Sequence, residues 1–384
     1  MSHSHQNKDT LVCGTGLFAI ALAKEISARP ECGYRIVGLV AENEDTLECD
    51  DYPLLGNLDQ LQDIIAKIKP ARIIVCLSQK RHQLPVYHLI EAKVCGSITV
   101  ENGEEVYERL TGKIAIEALT PNSIIFTEDF KISKASIHAS RLMSLLFSSV
   151  GMLILAPVFL IIPLVIKIDS KGPVFFIQER VGINGKKFNL FKFRTMHPSE
   201  GKTSEWAGDN VSRITRVGNI LRKFRLDELP QFINVLKGDM NIVGPRPHPA
   251  SNYEMFVLVS RNTPVCGWHI PYYSLRCIVR PGITGWAQVK YQYANNLHEE
   301  MEKLCFDLYY VKHYSLWLDI CILFETIKVV LKGHSVEDSK QHLPGLDYEV
   351  KPVTKNVYPV LVQSKKADFP ARKNINSTVP MHKV

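Results

Sequence analysis

From Leu142 to Ile166 the chain reads LMSLLFSSVGMLILAPVFLIIPLVI, 25 residues without a charge. No other stretch restricts so strongly what the chain can fold into. As one straight helix it would be roughly 37 Å long at ~1.5 Å per residue, and the hydrocarbon core of a bilayer is ~30 Å thick. It is long enough to span. The alternative, a helix buried in a soluble core, is usually shorter and shows a polar face. Lys131, Lys134 and Arg141 precede the run, and Lys167 and Lys171 follow it. Cations on both flanks place both ends on the cytoplasmic side. Pro157 and Pro163 each lack an N–H and clash with the preceding turn, so a break is expected. The reading is a helix–break–helix over 142–168 that dips into one leaflet, turns at Pro157 and returns, with 131–141 as a linker.

Ahead of this run, residues 9–130 alternate strand and helix patterns. TLVCGTGLFAIALAKEISA (10–28) is a short apolar strand, a Gly-x-Gly turn and an amphipathic helix. YRIVGLVAE (34–42) and ARIIVCLS (71–78) are further strands, with helical stretches between and after them. Such alternation predicts an α/β fold with a doubly wound parallel sheet, Rossmann-like in type. Gly14, Gly16 and Ala19 form a G-x-G-x-x-A turn that could place backbone N–H groups against an anion. Glu42, at the end of the second strand, could accept a ribose hydroxyl. A tight turn that binds nothing is the alternative. No apparatus for hydride transfer follows, which counts against an oxidoreductase.

The net charge of +7 calls for an acidic partner. It is concentrated: between Lys167 and Arg246 there are 15 Lys+Arg against 8 Asp+Glu, and 15 − 8 = 7. The nine cysteines are irregularly spaced without a Cys-x-x-Cys, which reads as a reduced compartment with no zinc site. Residues 1–8 are polar, lack a signal-peptide core and are expected to be disordered. The polar, proline-dotted tail over 335–384 is read as disordered or surface-docked.

The basic excess falls within residues 169–334, a mainly α, α+β module. KGPVFFIQERVGINGKKFNLFKFRTM (171–196) alternates aromatic and basic residues, and Lys192 and Arg194 would share one face of a strand. With Gln178, Glu179 and Arg180 they could line an anion site or a patch facing anionic lipid. In RITRVGNILRKFRLDELPQFINVLKGDMNIVGPRP (213–247) a run of arginines that includes Arg222 and Arg225 precedes Asp227 and Glu228. Leu229, Phe232, Ile233 and Leu236 recur at helical spacing, so Asp227 is expected as an N-cap and Gly238 as the stop. An N-cap carboxylate among arginines should have a lowered pKa, be ionised at neutral pH, and be available as a nucleophile toward phosphorus. Glu228 would have a separate job, such as a Mg²⁺ ligand. Arg246, held between prolines, suits phosphate recognition. VRPGITGWAQVKY (279–291) adds Arg280 and a phosphate-type turn, and Asp307 lies in a helical stretch beyond.

These motifs, in this order, resemble the bacterial sugar transferase family, the monotopic polyprenyl-phosphate phosphoglycosyl transferases. The resemblance covers residues 137–333 and is carried by KGPVFFIQERVGINGKKFNLFKFRTM, LDELPQFINVLKGDMNIVGPRP and RPGITGWAQV. The segment IPYYSLRCIVRPGITGWAQV looks most like members from exopolysaccharide and exosortase loci. The resemblance implies transfer of a phospho-sugar from a UDP-sugar to polyprenyl (undecaprenyl) phosphate at the cytoplasmic face of the bacterial inner membrane. It assigns Asp227 as nucleophile, Glu228 as the Mg²⁺-linked partner and Arg246 as a phosphate contact, with Arg225 and Asp307 as further site residues. The implied partners are UDP-sugar, polyprenyl phosphate and membrane, with no nucleic acid; a homodimer is left open. Two departures stand out. Ala156-Pro157 replaces the family's Ser-Pro at the break, and Ser144 stands where an acid is usual after Arg141. Larger members carry spanning helices ahead of the nucleotide-fold module, and none is read here. The competing readings are a membrane-anchored NAD(P)-dependent sugar-nucleotide enzyme and a non-enzymatic, nucleotide-sensing membrane scaffold.

Overall fold

A computed structural model describes residues 7–42, 51–77, 85–94, 96, 98–116, 118–119, 124–125, 130–197, 213–254, 257, 272–291 and 297–332. The expectations for the first residues and for the 335–384 tail fall outside this set, apart from Asn7 and Lys8. Lys8 already belongs to the first strand.

The N-terminal module is built on five parallel strands: β1 (Lys8–Cys13), β2 (Tyr34–Ala41), β3 (Leu54–Asn57), β4 (Arg72–Val75) and β5 (Thr99–Asn102). Their order in the sheet is β3-β2-β1-β4-β5, so the winding reverses between β1 and β4. Among the described residues the helices that connect or follow them include α1 (Leu17–Ser27), α2 (Leu61–Ile68), α3 (Val86–Val94) and α4 (Gly103–Thr111). Successive strand side chains point to opposite faces, and β1 shows the consequence. Val12 packs with Ala19, Leu22 and Ile26 of α1 and Val106 of α4. Its neighbour Leu11 packs with Leu61 and Ile64 of α2 and Leu89 of α3. Both faces are thus covered by helices, which is why the strands are continuous apolar runs.

The apolar run forms two helices, not one: α5 (Lys134–Ile154) and α6 (Ala156–Asp169). They are separated at Leu155, with Pro157 in the first turn of α6, where its missing N–H costs no helical bond. Residues 134–141, expected as linker, are already helical. Among the described residues α5 is the one helix long and apolar enough to cross a membrane by length and composition. Its faces are inverted relative to a soluble helix. Ser140, Ser144 and Ser148, four apart, are buried, while Leu142, Leu146, Phe147, Val150 and Leu153 are exposed. Two of these serines bond to the protein interior. Ser140 donates to Asp319, and Ser144 Oγ accepts from the buried Ile242 N–H at 3.1 Å. Ser144 therefore takes up a backbone donor at the position where an acid was expected. On α6 the exposed side chains include Leu160, Ile161, Leu164 and Ile168.

The remaining elements are an antiparallel hairpin of β6 (Phe175–Val181) and β7 (Lys187–Phe193), then α7 (Arg216–Lys223), α8 (Gln231–Lys237), β8 (Asn241–Val243), β9 (Gly282–Thr284), α9 (Trp286–Lys290), α10 (Leu297–Lys312) and α11 (Leu316–Lys332). Strands β8 and β9 pair in parallel and bring the Gly244–Pro247 and Arg280–Gly285 turns together. A Cβ on Gly244 would lie 2.4 Å from the Arg280 carbonyl oxygen, so only glycine allows this approach. The N-terminal module docks on α9 and α10. Trp286 Nε1 donates to the Gly112 carbonyl at 2.7 Å, and Ile114 N donates to the Cys305 carbonyl at 3.1 Å. Ile114 and Ile116 pack with Tyr273, Leu304 and Leu308, and Lys113–Glu302 and Lys312–Glu108 pairs, each at 2.9 Å, flank them.

Candidate active site

Asp227 and Glu228 lie in a tight turn between two helices. Thr215 caps α7 by accepting from Gly218 N–H at 2.9 Å. The helix ends at Phe224, and Arg225 turns the chain with a left-handed φ of 56°. A single 3₁₀ turn, Leu226–Glu228, carries the two acids. Pro230 then occupies the N-cap of α8, so Asp227 is not the cap that its spacing suggested. Proline fixes φ near the helical value and lacks the N–H that a cap would need to satisfy. The stop at Gly238 is as expected, with φ at 96°.

Both acids are buried, with 9% and 6% exposure. Glu228 is surrounded by cations: Arg246 Nη2 at 2.9 Å, Lys192 Nζ at 3.2 Å and Arg225 Nη1 at 3.7 Å. Burial works to raise its pKa, but Arg246, Lys192 and Arg225 outweigh burial and hold the carboxyl well below the usual range. Asp227 goes the other way. Burial, reinforced by the charge of Glu228, overcomes Lys192, Arg222 and Arg225 and pushes it up to about 6. The lowered pKa expected for Asp227 is therefore corrected: the nearest cations are shared with Glu228, and desolvation decides. At neutral pH the carboxylate form still dominates, by about tenfold for a pKa one unit below the pH. Burial brings Lys192 down to about 8, with Arg246 and Arg180 adding to the shift and the two acids opposing it.

Arg246 is fixed at three points. Nη2 binds Glu228, and Nη1 donates to Gln288 Oε1 at 3.2 Å. Its backbone carbonyl accepts from Arg276 Nη2 at 2.9 Å. Arg276 is itself buried and paired with Asp307 Oδ2 at 2.6 Å. It also donates to the Tyr273 hydroxyl at 2.8 Å and lies 3.0 Å from His248 Nε2. Arg180 Nη1 holds the Pro247 carbonyl at 3.0 Å. The arrangement presents a rigid guanidinium next to a carboxylate, with further cations around both, which suits a phosphoanhydride.

The structure thus brings Asp227, Glu228, Lys192, Arg225 and Arg246 together. Asp307 stands one layer behind and acts on Arg246 through Arg276. Two expected phosphate contacts are placed elsewhere. Arg194 donates to the carbonyls of Ser170 and Lys171 at the end of α6, at 2.7 and 3.1 Å. It lies just past the end of β7, so the strand alternation that paired it with Lys192 no longer applies. Arg280 Nε donates to the Gly238 carbonyl at 3.1 Å, at the end of α8. Gly14, Gly16, Ala19 and Glu42 belong to the N-terminal module. Gln288 and Arg276 were missed as site residues, although both lie in the segment that carries the resemblance. Nothing in their local pattern distinguished them from helix surface; only the β8–β9 pairing puts Gln288 beside Arg246.

Residues 135–333 match the family described as Bacterial sugar transferase. The chain is 38% identical over 253 residues to the UDP-N-acetylgalactosamine-undecaprenyl-phosphate N-acetylgalactosaminephosphotransferase of Aeromonas hydrophila, covering 65% of this chain and 53% of that one. It is 32% identical over 331 residues to the UDP-glucose:undecaprenyl-phosphate glucose-1-phosphate transferase of Escherichia coli (strain K12), covering 85% and 68%. To the protein of the same name from Xanthomonas campestris pv. campestris it is 41% identical over 199 residues, covering 51% and 39%. The matched region spans about half the length of the first relative and about two thirds of the second. On the family match, and on the long alignment to the second relative, the chain belongs to the bacterial sugar transferase family.

Proposed function

We propose that the protein is an initiating phosphoglycosyl transferase. It moves a phospho-sugar from a UDP-sugar to polyprenyl (undecaprenyl) phosphate, giving polyprenyl-diphosphate-sugar and UMP. The observation that carries this reading is the pairing of a buried carboxylate, Asp227, with a neighbour, Glu228, that is held ionised by three cations. In the first step an Asp227 oxygen attacks the phosphorus that bears the sugar. An aspartyl–phosphorus bond forms, the phosphoanhydride bond breaks, and its electron pair leaves on UMP. In the second step a phosphate oxygen of the polyprenyl phosphate attacks the same phosphorus and returns Asp227 to its carboxylate. No proton moves to or from Asp227 in either step, so the ionised form is the reactive one. Lys192, Arg225 and Arg246, gathered at Glu228, would neutralise charge on the diphosphate.

Mg²⁺ belongs to the same reading. Among the described residues no cluster of three His, Cys, Asp or Glu is built to hold a metal, but Mg²⁺ is commonly held by one or two carboxylates together with substrate phosphates. Glu228 fits that use. Oε1 is shared by Lys192 and Arg246, whereas Oε2 has Arg225 at 3.7 Å. When bound, the ion would neutralise diphosphate charge.

Helices α5 and α6 are proposed as a re-entrant pair in the cytoplasmic leaflet of the inner membrane. The break at Leu155, the cations on both flanks and the outward apolar side chains support this. Residues 9–130 are proposed as a Rossmann-like domain. The activity is tested by UMP release from UDP-glucose, UDP-galactose and their N-acetylated forms, with Mg²⁺ and undecaprenyl phosphate. No release from any of them would refute it.

A further inference from the structure

The glycine turn at the start of α1 is not used by the chemistry above, and its two glycines have different physical reasons. Gly14 is demanded by the fold. Its φ is +130°, and a Cβ there would lie 2.4 Å from the Cys76 carbonyl oxygen. Gly16 is not. Its φ is −65°, open to any residue, and a Cβ there would meet nothing within 4 Å. The missing side chain leaves open space beside the N-terminus of α1, an 11-residue helix that has no side-chain cap and no acid in its first turn. The intervening Thr15 is 2% exposed, and its Oγ1 has no hydrogen-bond partner. Buried hydroxyls are almost always paired, so an orphan one in this turn is a donor awaiting an acceptor. The turn sits at the C-terminal end of β1, where the winding reverses toward β4, the place where ligands bind in open parallel sheets. Ala19 is fully buried, which lets α1 pack closely on the sheet behind the turn. Glu42 follows the end of β2, the next strand; burial chiefly raises the Cys76 thiol pKa, and Cys13, Glu104 and then Glu42 add to the shift, which puts both acids in the neighbourhood of that thiol.

We propose that this turn is a second nucleotide site, separate from Asp227, that takes a nucleoside diphosphate with a free ribose 2′-hydroxyl. The diphosphate would accept from the first N–H groups of α1 and from Thr15, and Glu42 would accept from the ribose. The same carboxylate would repel a 2′-phosphate. Dinucleotides and sugar nucleotides share this chemistry, and the test separates them.

Full-length protein in lipid nanodiscs is titrated calorimetrically with NAD⁺, NADP⁺, ADP-ribose and UDP-glucose, as wild type and as Gly16→Val and Glu42→Ala. A Cβ at 16 meets nothing within 4 Å, so valine should take up the open space that the diphosphate needs, and Glu42→Ala is a second variant should the first unfold. The expected result is binding of at least one probe with a free 2′-hydroxyl that weakens about tenfold or more, about 1.4 kcal/mol, in each folded variant. NADP⁺ should bind more weakly than NAD⁺, and UMP release should persist in both variants. Loss of NAD⁺ and ADP-ribose binding would identify a dinucleotide site, and loss confined to a second UDP-glucose binding event, beyond the one that remains at Asp227, a sugar-nucleotide site. Absence of binding, equal affinity in wild type and variants, or weakening by Gly16→Val with no effect of Glu42→Ala would overturn the proposal. Failure of UMP release in the wild type would instead count against the phosphoglycosyl transferase reading and leave the binding result to be judged alone.

Discussion

Replacing Asp227 by Asn should make the protein more stable while abolishing turnover. Burial and Glu228 raise the Asp227 pKa from the usual 3.8 to about 6. For a carboxyl whose folded pKa lies above its unfolded one, the protonated form favours folding. That contribution is complete below the unfolded pKa and is lost as pH rises through the folded pKa. At neutral pH the ionised Asp227 therefore opposes folding. The shift of about two units, at ~1.36 kcal/mol each, amounts to about 3 kcal/mol at about pH 7.5 and about half of that at about pH 5. Asparagine has nearly the same shape and never ionises, so it should recover this energy. The assay is chemical unfolding of both proteins in nanodiscs, followed by tryptophan fluorescence at the two pH values. A gain that is larger at the higher pH is expected. No gain, or a gain independent of pH, would refute the assignment of a buried, reluctantly ionised nucleophile.

The pH–rate profile should be bell-shaped. Activity should rise as Asp227 ionises near pH 6 and fall as Lys192 loses its proton near pH 8; a flat profile between about 5 and 9 would contradict both assignments. Ser144→Ala removes the acceptor for the buried Ile242 N–H and should cost about 1–3 kcal/mol in unfolding free energy; an unchanged midpoint would show that the bond adds nothing. Trp286→Phe keeps a ring against Tyr309 but removes the donor to Gly112, so stability should fall by about 1 kcal/mol. Because α9 also carries Gln288 to Arg246, UMP release should slow in the same variant, and a normal rate would argue against that route.

Much of the fold could be read from sequence because it rests on local patterns. The apolar runs of β1, β2 and β4 forecast buried parallel strands, and their helices cover both faces. Pro157 correctly marked a helix break, here at Leu155. Absence of charge marks the start of the membrane run at Leu142, whereas α5 begins at Lys134. KASIHASR is polar yet helical, and its inward face continues as Ser140, Ser144 and Ser148. The basic cluster around Asp227 and Glu228 is legible from charge density, and three of its members, Lys192, Arg225 and Arg246, converge on Glu228. The fates of Arg194 and Arg280 were not, because a guanidinium near a motif can equally well close a helix end, as both do. The pKa of Asp227 depends on how water is excluded and on which acid the cations approach, and neither is written in the local sequence.

Whether Asp227 carries the sugar phosphate can be measured directly. The protein is mixed with a UDP-sugar that it turns over and Mg²⁺, without polyprenyl phosphate, then quenched, digested and analysed by mass spectrometry. A nucleophilic Asp227 requires a phospho-sugar adduct on the peptide that contains it, formed in step with UMP and discharged when polyprenyl phosphate is added. UMP release with that peptide unmodified, or an adduct on another residue, would contradict the mechanism.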